Sequence, residues 1–199
     1  MTYRNFIVLF KVLERNHLSL TRRIFLRTIK IYDRNDLIEI SFDDIKKYHG
    51  YGAYMALGVG FRVVEAAFNA LYGEEIPNRQ DISIVSGHGG PGFRDVFEFV
   101  TRAKTRGTYI VDVNYPKAQY DPYRPTGYAY VFTKSNGESV EVLLKEDFLP
   151  PIFYDYLKKG REDSFTPEEY EHNERLKQEL GNRAYDMPIE DLLIVNRLK

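Results

Sequence analysis

Two histidines in glycine-punctuated segments are the residues of this chain best placed to do chemistry. His49 lies in Tyr48-His49-Gly50-Tyr51-Gly52-Ala53-Tyr54, and His88 in Ser86-Gly87-His88-Gly89-Gly90-Pro91-Gly92. Each segment runs into residues with helical spacing, so each reads as a loop that opens a helix. The first turn of a helix leaves backbone N–H groups unpaired, and these attract anions and polar ligands. A small polar or anionic ligand held between the two loops would meet His49, Tyr51, Tyr54, His88, Gly89, Gly90 and Asp95. Two imidazoles, His49 and His88, with a carboxylate such as Asp95 or Asp112, would also suit a divalent metal: zinc, iron or manganese. The plainer alternative has both histidines hydrogen-bonded to backbone at crowded loop starts. No cysteine is present, so no thiolate can act as ligand or nucleophile. Ser86 stands too near His88 in sequence for a nucleophile–base pair. No carboxylate pair is fixed by spacing, so no catalytic residue is assigned.

The second loop also fits Gly-x-Gly-x-x-Gly, from Gly87 to Gly92, with Asp112 near where a dinucleotide-binding acid would lie. An NAD(P) cofactor would use the loop amides. Against it stand the antiparallel hairpin later in the chain, the lack of a second mononucleotide half, and Pro91, which removes one N–H. The alternative is a tight strand-to-helix turn whose glycines supply positive φ.

The elements that must position these loops can be read from pattern. Ile24–Tyr32 and Leu37–Ile40 read as strands. Ser41-Phe42-Asp43-Asp44 has capping-box form and starts a helix ending at His49-Gly50. A longer helix, 54–72, uses Leu57, Phe61, Val64, Phe68 and Leu71. Its small residues Ala56, Gly58 and Gly60 are tolerated where a backbone or ligand packs closely. Strands are expected at 81–85 and 108–113, with a helix at 93–105 between them. Strands at 128–132 and 139–143 flank Asn136-Gly137, a hairpin signal. Pro150-Pro151 starts a short helix. Thr166-Pro167-Glu168-Glu169 starts a mostly polar one, suited to an exposed arm or a subunit contact. A last short helix is expected at 188–195. Together these give an α+β fold: a mixed or antiparallel sheet packed by two main helices, with a helical C-terminal tail.

Composition bounds the partners. The 199 residues suffice for one compact domain, and a net charge of -1 gives no general attraction to nucleic acid or an anionic membrane. No apolar run is long enough to span a bilayer. Phe6–Phe10 is short, is followed by Lys11 and lacks a small-residue cleavage site, so no signal peptide is expected. A cytoplasmic location fits the absence of cysteine. Residues 1–40 form a basic N-terminal strand or arm: up to Lys30, Arg4, Lys11, Arg15, Arg22, Arg23, Arg27 and Lys30 face Glu14 alone. It reads as an amphipathic strand or arm packed on the 41–199 domain, with polyanion binding as the alternative. Sixteen tyrosines and no tryptophan suggest pockets or interfaces where a ring packs and its hydroxyl is bonded. The tyrosine- and proline-containing loop from Tyr115 to Gly127 and the thinly apolar helix after Thr166 predict a homodimer that covers them.

The two loops and the elements after them resemble the E-subunit domain of formylmethanofuran dehydrogenase and its stand-alone relatives. The resemblance spans about residues 42–195. It rests on Tyr48-His49-Gly50, Gly60-Phe61-Arg62, Asp81–Val85, the 86–92 loop, Asp95-Val96-Phe97-Glu98, the 128–143 hairpin, the acidic helix 167–180 and the ending Met187–Leu193. It implies the α+β fold and a pocket at the two loops. The family's second motif histidine falls at Tyr51, its motif cysteine near Ala53 or Tyr54 and its loop cysteine at Gly92, and its zinc ribbon is missing. His49 alone matches a family metal-ligand position. The resemblance therefore implies a ligand pocket without a thiolate-bound metal. An enzyme using a metal or NAD(P) at 87–92 is one alternative, and a non-catalytic assembly protein is another.

Overall fold

The structure, a computed structural model, describes residues 27–198. Most of the basic arm lies outside the described residues. The described part begins with a hairpin of β1 (Thr28–Asp33) and β2 (Asp36–Ser41), antiparallel, with Asp33 opposite Asp36. Ile29, Ile31 and Ile40 of this hairpin are buried in the common core. Ser41 then caps α1 (Phe42–His49) as expected: its hydroxyl accepts from the Asp44 N–H, and the Asp44 carboxylate accepts from the Ser41 N–H. Gly50 ends α1 at φ +84°.

The long helix α2 (Tyr54–Tyr72) has the expected bounds, and fourteen of its nineteen residues are buried. A helix apolar on nearly every side must be covered on nearly every side. The sheet covers one flank, α3 (Pro91–Thr101) a second, and α5 (Pro167–Asp186) a third.

A β-α-β unit comes next, with β3 (Ile82–Ser86) parallel to β4 (Tyr109–Val111) and α3 between them in sequence. The rest of the five-stranded sheet is antiparallel: β5 (Ala129–Lys134), β6 (Ser139–Leu144) and β7 (Leu193–Leu198), in the order β4-β3-β5-β6-β7. Ile84, Phe132 and Val140 lie side by side across β3, β5 and β6, all buried. The fold class is thus α+β with a mixed sheet, as the pattern implies. α4 (Pro151–Arg161) and the single-turn α6 (Ile189–Leu192) complete it. Among the described residues no helix is long and apolar enough to cross a membrane.

Three local expectations are corrected. The α3 helix stops at Thr101, four residues early, because Arg102 turns left-handed at φ +57° and the Glu98 carboxylate takes the N–H groups of Lys104 and Thr105. The tail expected as helix to residue 195 makes one turn and becomes β7. Ile194 and Val195 suit a strand better than a helix, and β6 offers them an edge. The polar helix α5 is no exposed arm. Gly58 of α2 and Gly181 of α5 let the two backbones touch, so a Cβ at either would overlap the facing chain. Leu180 and Ala184 are buried beside this contact. Part of what predicted a homodimer is therefore covered within the chain, while Tyr123 and Tyr170 are exposed. Tyr115 and Tyr120 of the tyrosine loop also pack against the core.

Candidate functional site

A cavity of about 240 Å³ opens where the two glycine loops approach each other. Ala53, Met55 and Ala56 bring the start of α2 to it. His88, Gly90, Gly92 and Phe93 bring the second loop and the start of α3. Arg124 and Tyr128 come from the tyrosine loop, Phe153 and Leu157 from α4, and Lys177 from α5.

His88 is built into this wall. Its Nδ1 accepts a hydrogen bond from the Gly90 N–H at 2.9 Å, and its ring packs 4.9 Å from Phe93 and 5.1 Å from Tyr128 between centroids. A Cβ on Gly90 would fall 2.5 Å from His88 Cε1, so the imidazole fits only against glycine. Burial, with the Arg124 charge beside it, pushes the imidazole down to about 4. The ring is neutral at pH 7, and since Nδ1 accepts, Nε2 carries the proton. Nε2 has no hydrogen-bond partner among the described residues.

Tyr128 is fully buried, and its hydroxyl likewise has no partner among the described residues. Behind it the Tyr154 hydroxyl and Asp121 Oδ2 are also buried without a hydrogen bond. Burial raises the pKa of Tyr128 and of Tyr154, so both keep their protons. Asp121 lies 3.4 Å from Arg124 Nε and 3.6 Å from Arg161 Nη1.

The glycines of the second loop do not serve as expected. None of Gly87, Gly89, Gly90 and Gly92 takes positive φ. They provide room instead. A Cβ on Gly92 would sit 2.7 Å from the Ala56 Cβ, and one on Gly87 would sit 2.9 Å from the Gly127 carbonyl oxygen. The loop's amides are largely spent. The Gly87 N–H donates to the Ala129 carbonyl, and the His88 N–H to the Ser86 hydroxyl. Ser86 donates in turn to the His88 carbonyl, so its hydroxyl is closed into a local turn.

The other residues chosen from sequence lie elsewhere. His49 Nδ1 is 2.8 Å from Asp95 Oδ2, and the second oxygen of Asp95 accepts from Arg94 Nε at 2.8 Å. Tyr51 is 75% exposed and lines a separate open groove with Tyr170 of α5. Tyr54 is half-buried, and its carbonyl meets Gly181. Gly89 is exposed beside Val111. Asp112 accepts from the Asn114 N–H in a local turn. Of the chosen set, only His88 and Gly90 line the cavity. His49 is occupied by Asp95 and His88 by Gly90, so the two imidazoles and a carboxylate are not gathered around a common point. Among the described residues no group of three or more His, Asp or Glu is arranged to hold a metal ion.

Arg124, Tyr128 and Lys177 are the polar lining residues that sequence pattern misses. They come from two distant stretches, Arg124 and Tyr128 from one and Lys177 from the other, and none carries a local motif. Away from the cavity, Arg62 Nη2 of α2 donates to the Met187 carbonyl just after α5 at 2.9 Å. No family model matches the chain, and no curated protein matches it.

Proposed function

We propose that this protein binds a small anionic ligand in the cavity between its two glycine loops. One observation carries the reading. Every polar side chain lining the cavity can donate a hydrogen bond, and no lining side chain among the described residues is a carboxylate or an amide. His88 Nε2–H, the Tyr128 hydroxyl, Arg124 and Lys177 are the donors. The first turn of α3, where Gly92 and Phe93 lie, adds the positive end of a helix. The Tyr128 hydroxyl is a buried donor without a partner among the described residues, which is costly, and an anion would satisfy it.

A dinucleotide at the 87–92 loop is the less favoured reading. The β3–α3–β4 unit has the right order, but the loop's amides are engaged internally. The cavity is also smaller than the ~300 Å³ at which pockets for drug-sized ligands begin. A homodimer is retained as an assembly proposal. It now rests on the edge strands of the sheet, where, among the described residues, Ile110 and Val111 of β4 and Ile194 and Val195 of β7 are exposed.

Thermal melting of the full chain against a panel of small anions tests the binding reading. A ligand at a hundredfold excess over its Kd should add about 2.7 kcal/mol of stability. Arg124→Gln, which leaves the buried Asp121 carboxylate its Arg161 partner, should still fold and lose most of that gain. No response to any anion, or an equal response in Arg124→Gln, would overturn the proposal.

A further inference from the structure

We infer that the ligand of this cavity is a monoanionic carboxylate with a hydrocarbon body. The inference rests on the anion reading above and narrows it by charge, by donor geometry and by the walls.

The charges leave room for one anion. The Asp121 carboxylate is fully buried between two guanidiniums, Arg124 at 3.4 Å and Arg161 at 3.6 Å. Lys177 is already paired with Glu174 at 2.7 Å. Arg124, which lines the cavity, shares the one carboxylate of Asp121 with Arg161, so among these three groups a single positive charge is left over. One negative charge balances it. A phosphate dianion would leave a charge uncompensated in a partly desolvated site, where that is costly.

The donors are fixed in number and place. His88 is nine-tenths buried and Tyr128 wholly so. Each presents one hydrogen-bond donor without a partner among the described residues, and each ring is held by packing on its neighbours: His88 on Phe93, Tyr128 on Tyr120 and Tyr154. A carboxylate offers two acceptor oxygens with about four lone-pair sites, enough for His88, Tyr128 and the Arg124 fork together.

The remaining walls are hydrocarbon: Met55, Ala56, Phe93, Phe153 and Leu157. An inorganic anion would leave them facing water. An alkyl or aryl body would cover them, with a gain of about 25 cal/mol per Å² removed from water.

Calorimetric titration of the full chain with acetate, butanoate, hexanoate, hexanamide and inorganic phosphate separates the possibilities. Affinity should rise about fourfold per methylene from acetate to hexanoate, until the cavity is full. Hexanoate should bind at least about tenfold more tightly than hexanamide or phosphate. In Arg124→Gln the preference over hexanamide should shrink towards parity while the chain-length dependence persists. Phosphate binding as tightly as hexanoate, or acetate matching hexanoate, would overturn the hydrocarbon-carboxylate assignment and leave the anion reading standing. Hexanamide matching hexanoate, or no saturable binding by any probe, would overturn both. If Arg124→Gln fails to fold, the wild-type hexanoate–hexanamide difference decides the question alone.

Discussion

The loop that carries His49 and the loop that carries His88 use glycine for opposite reasons. Gly50 and Gly52 sit at φ +84° and +90°, with no described atom within 4 Å of where a Cβ would stand. There the glycines supply a backbone conformation. Gly90 and Gly92 have ordinary φ, but a Cβ on either would meet a neighbour at 2.5 or 2.7 Å. There the glycines supply space. The histidines divide the same way. His49 reaches across to α3 and is bonded to Asp95, whereas His88 folds back on its own loop and leaves one nitrogen for the cavity. The first loop is a joint between two helices; the second is a wall.

Acid should expose the largest difference, because His88 is buried neutral. Its folded value of about 4 lies below the ordinary 6.5. The unfolded chain therefore binds the proton more readily throughout that interval. His88's contribution to stability is complete above pH 6.5 and is lost as pH falls through 4. At ~1.36 kcal/mol per pH unit the loss is about 3 kcal/mol. Urea unfolding at pH 7 and pH 4.5 should show a smaller acid loss in His88→Gln than in the wild type. Gln keeps a neutral acceptor for the Gly90 N–H. Equal acid losses would mean that His88 is not held neutral.

Gly92→Ala comes next. The added methyl cannot be turned aside, because it meets the Cβ atoms of Ala56 and Ala53, which have no rotamers to change. Overpacking of this kind costs about 1–3 kcal/mol and should narrow the cavity. Pairing it with Ala56→Gly removes the closer contact, so the double variant should recover part of the loss. Additive losses in denaturant unfolding would show that space is not what Gly92 provides. Gly50→Ala should cost about 1–3 kcal/mol by another route, since its φ +84°, ψ -146° is a conformation kept almost to glycine. Among the described residues it has no crowding neighbour to be trimmed in compensation. Ligand binding should weaken in Gly92→Ala and be unchanged in Gly50→Ala.

Much of the frame was legible because it is local. The capping boxes at Ser41 and Thr166, the apolar face of α2 and the turn at Asn136-Gly137 are each settled within a few residues. The start of α2 and the second loop do border a cavity, but of the residues chosen from sequence only His88 and Gly90 line it. The features that escaped are those that distant residues decide. Nothing near Leu193 announces that β6 will offer it a partner, and nothing in the polar run of α5 marks Gly181 as the contact with Gly58. Arg124 and Tyr128 on one chain segment and Lys177 on another line the cavity by virtue of two separate chain crossings. Tyrosine count was a fair hint at a polar pocket but a poor guide to its bonds. Tyr72 and Tyr115 find carboxylate partners, while the buried hydroxyls of Tyr128, Tyr130 and Tyr154 have none among the described residues.

The smallest effect belongs to the residue that sequence favoured most. His49 heads the first glycine loop, yet its ring is committed to Asp95 and does not line the cavity. Replacing it with alanine removes one side-chain hydrogen bond, a loss of about 1 kcal/mol. Asp95 keeps Arg94 as a partner, so its carboxylate is not left alone. The bond joins the last residue of α1 to the second turn of α3, so its loss should raise amide hydrogen exchange at the end of α1. Hexanoate affinity should stay within about twofold of wild type, below the ~0.5 kcal/mol typical of a neutral surface change. A tenfold loss of affinity in His49→Ala would reverse the comparison: the first loop would then be part of the site, and the two histidines would have to act together.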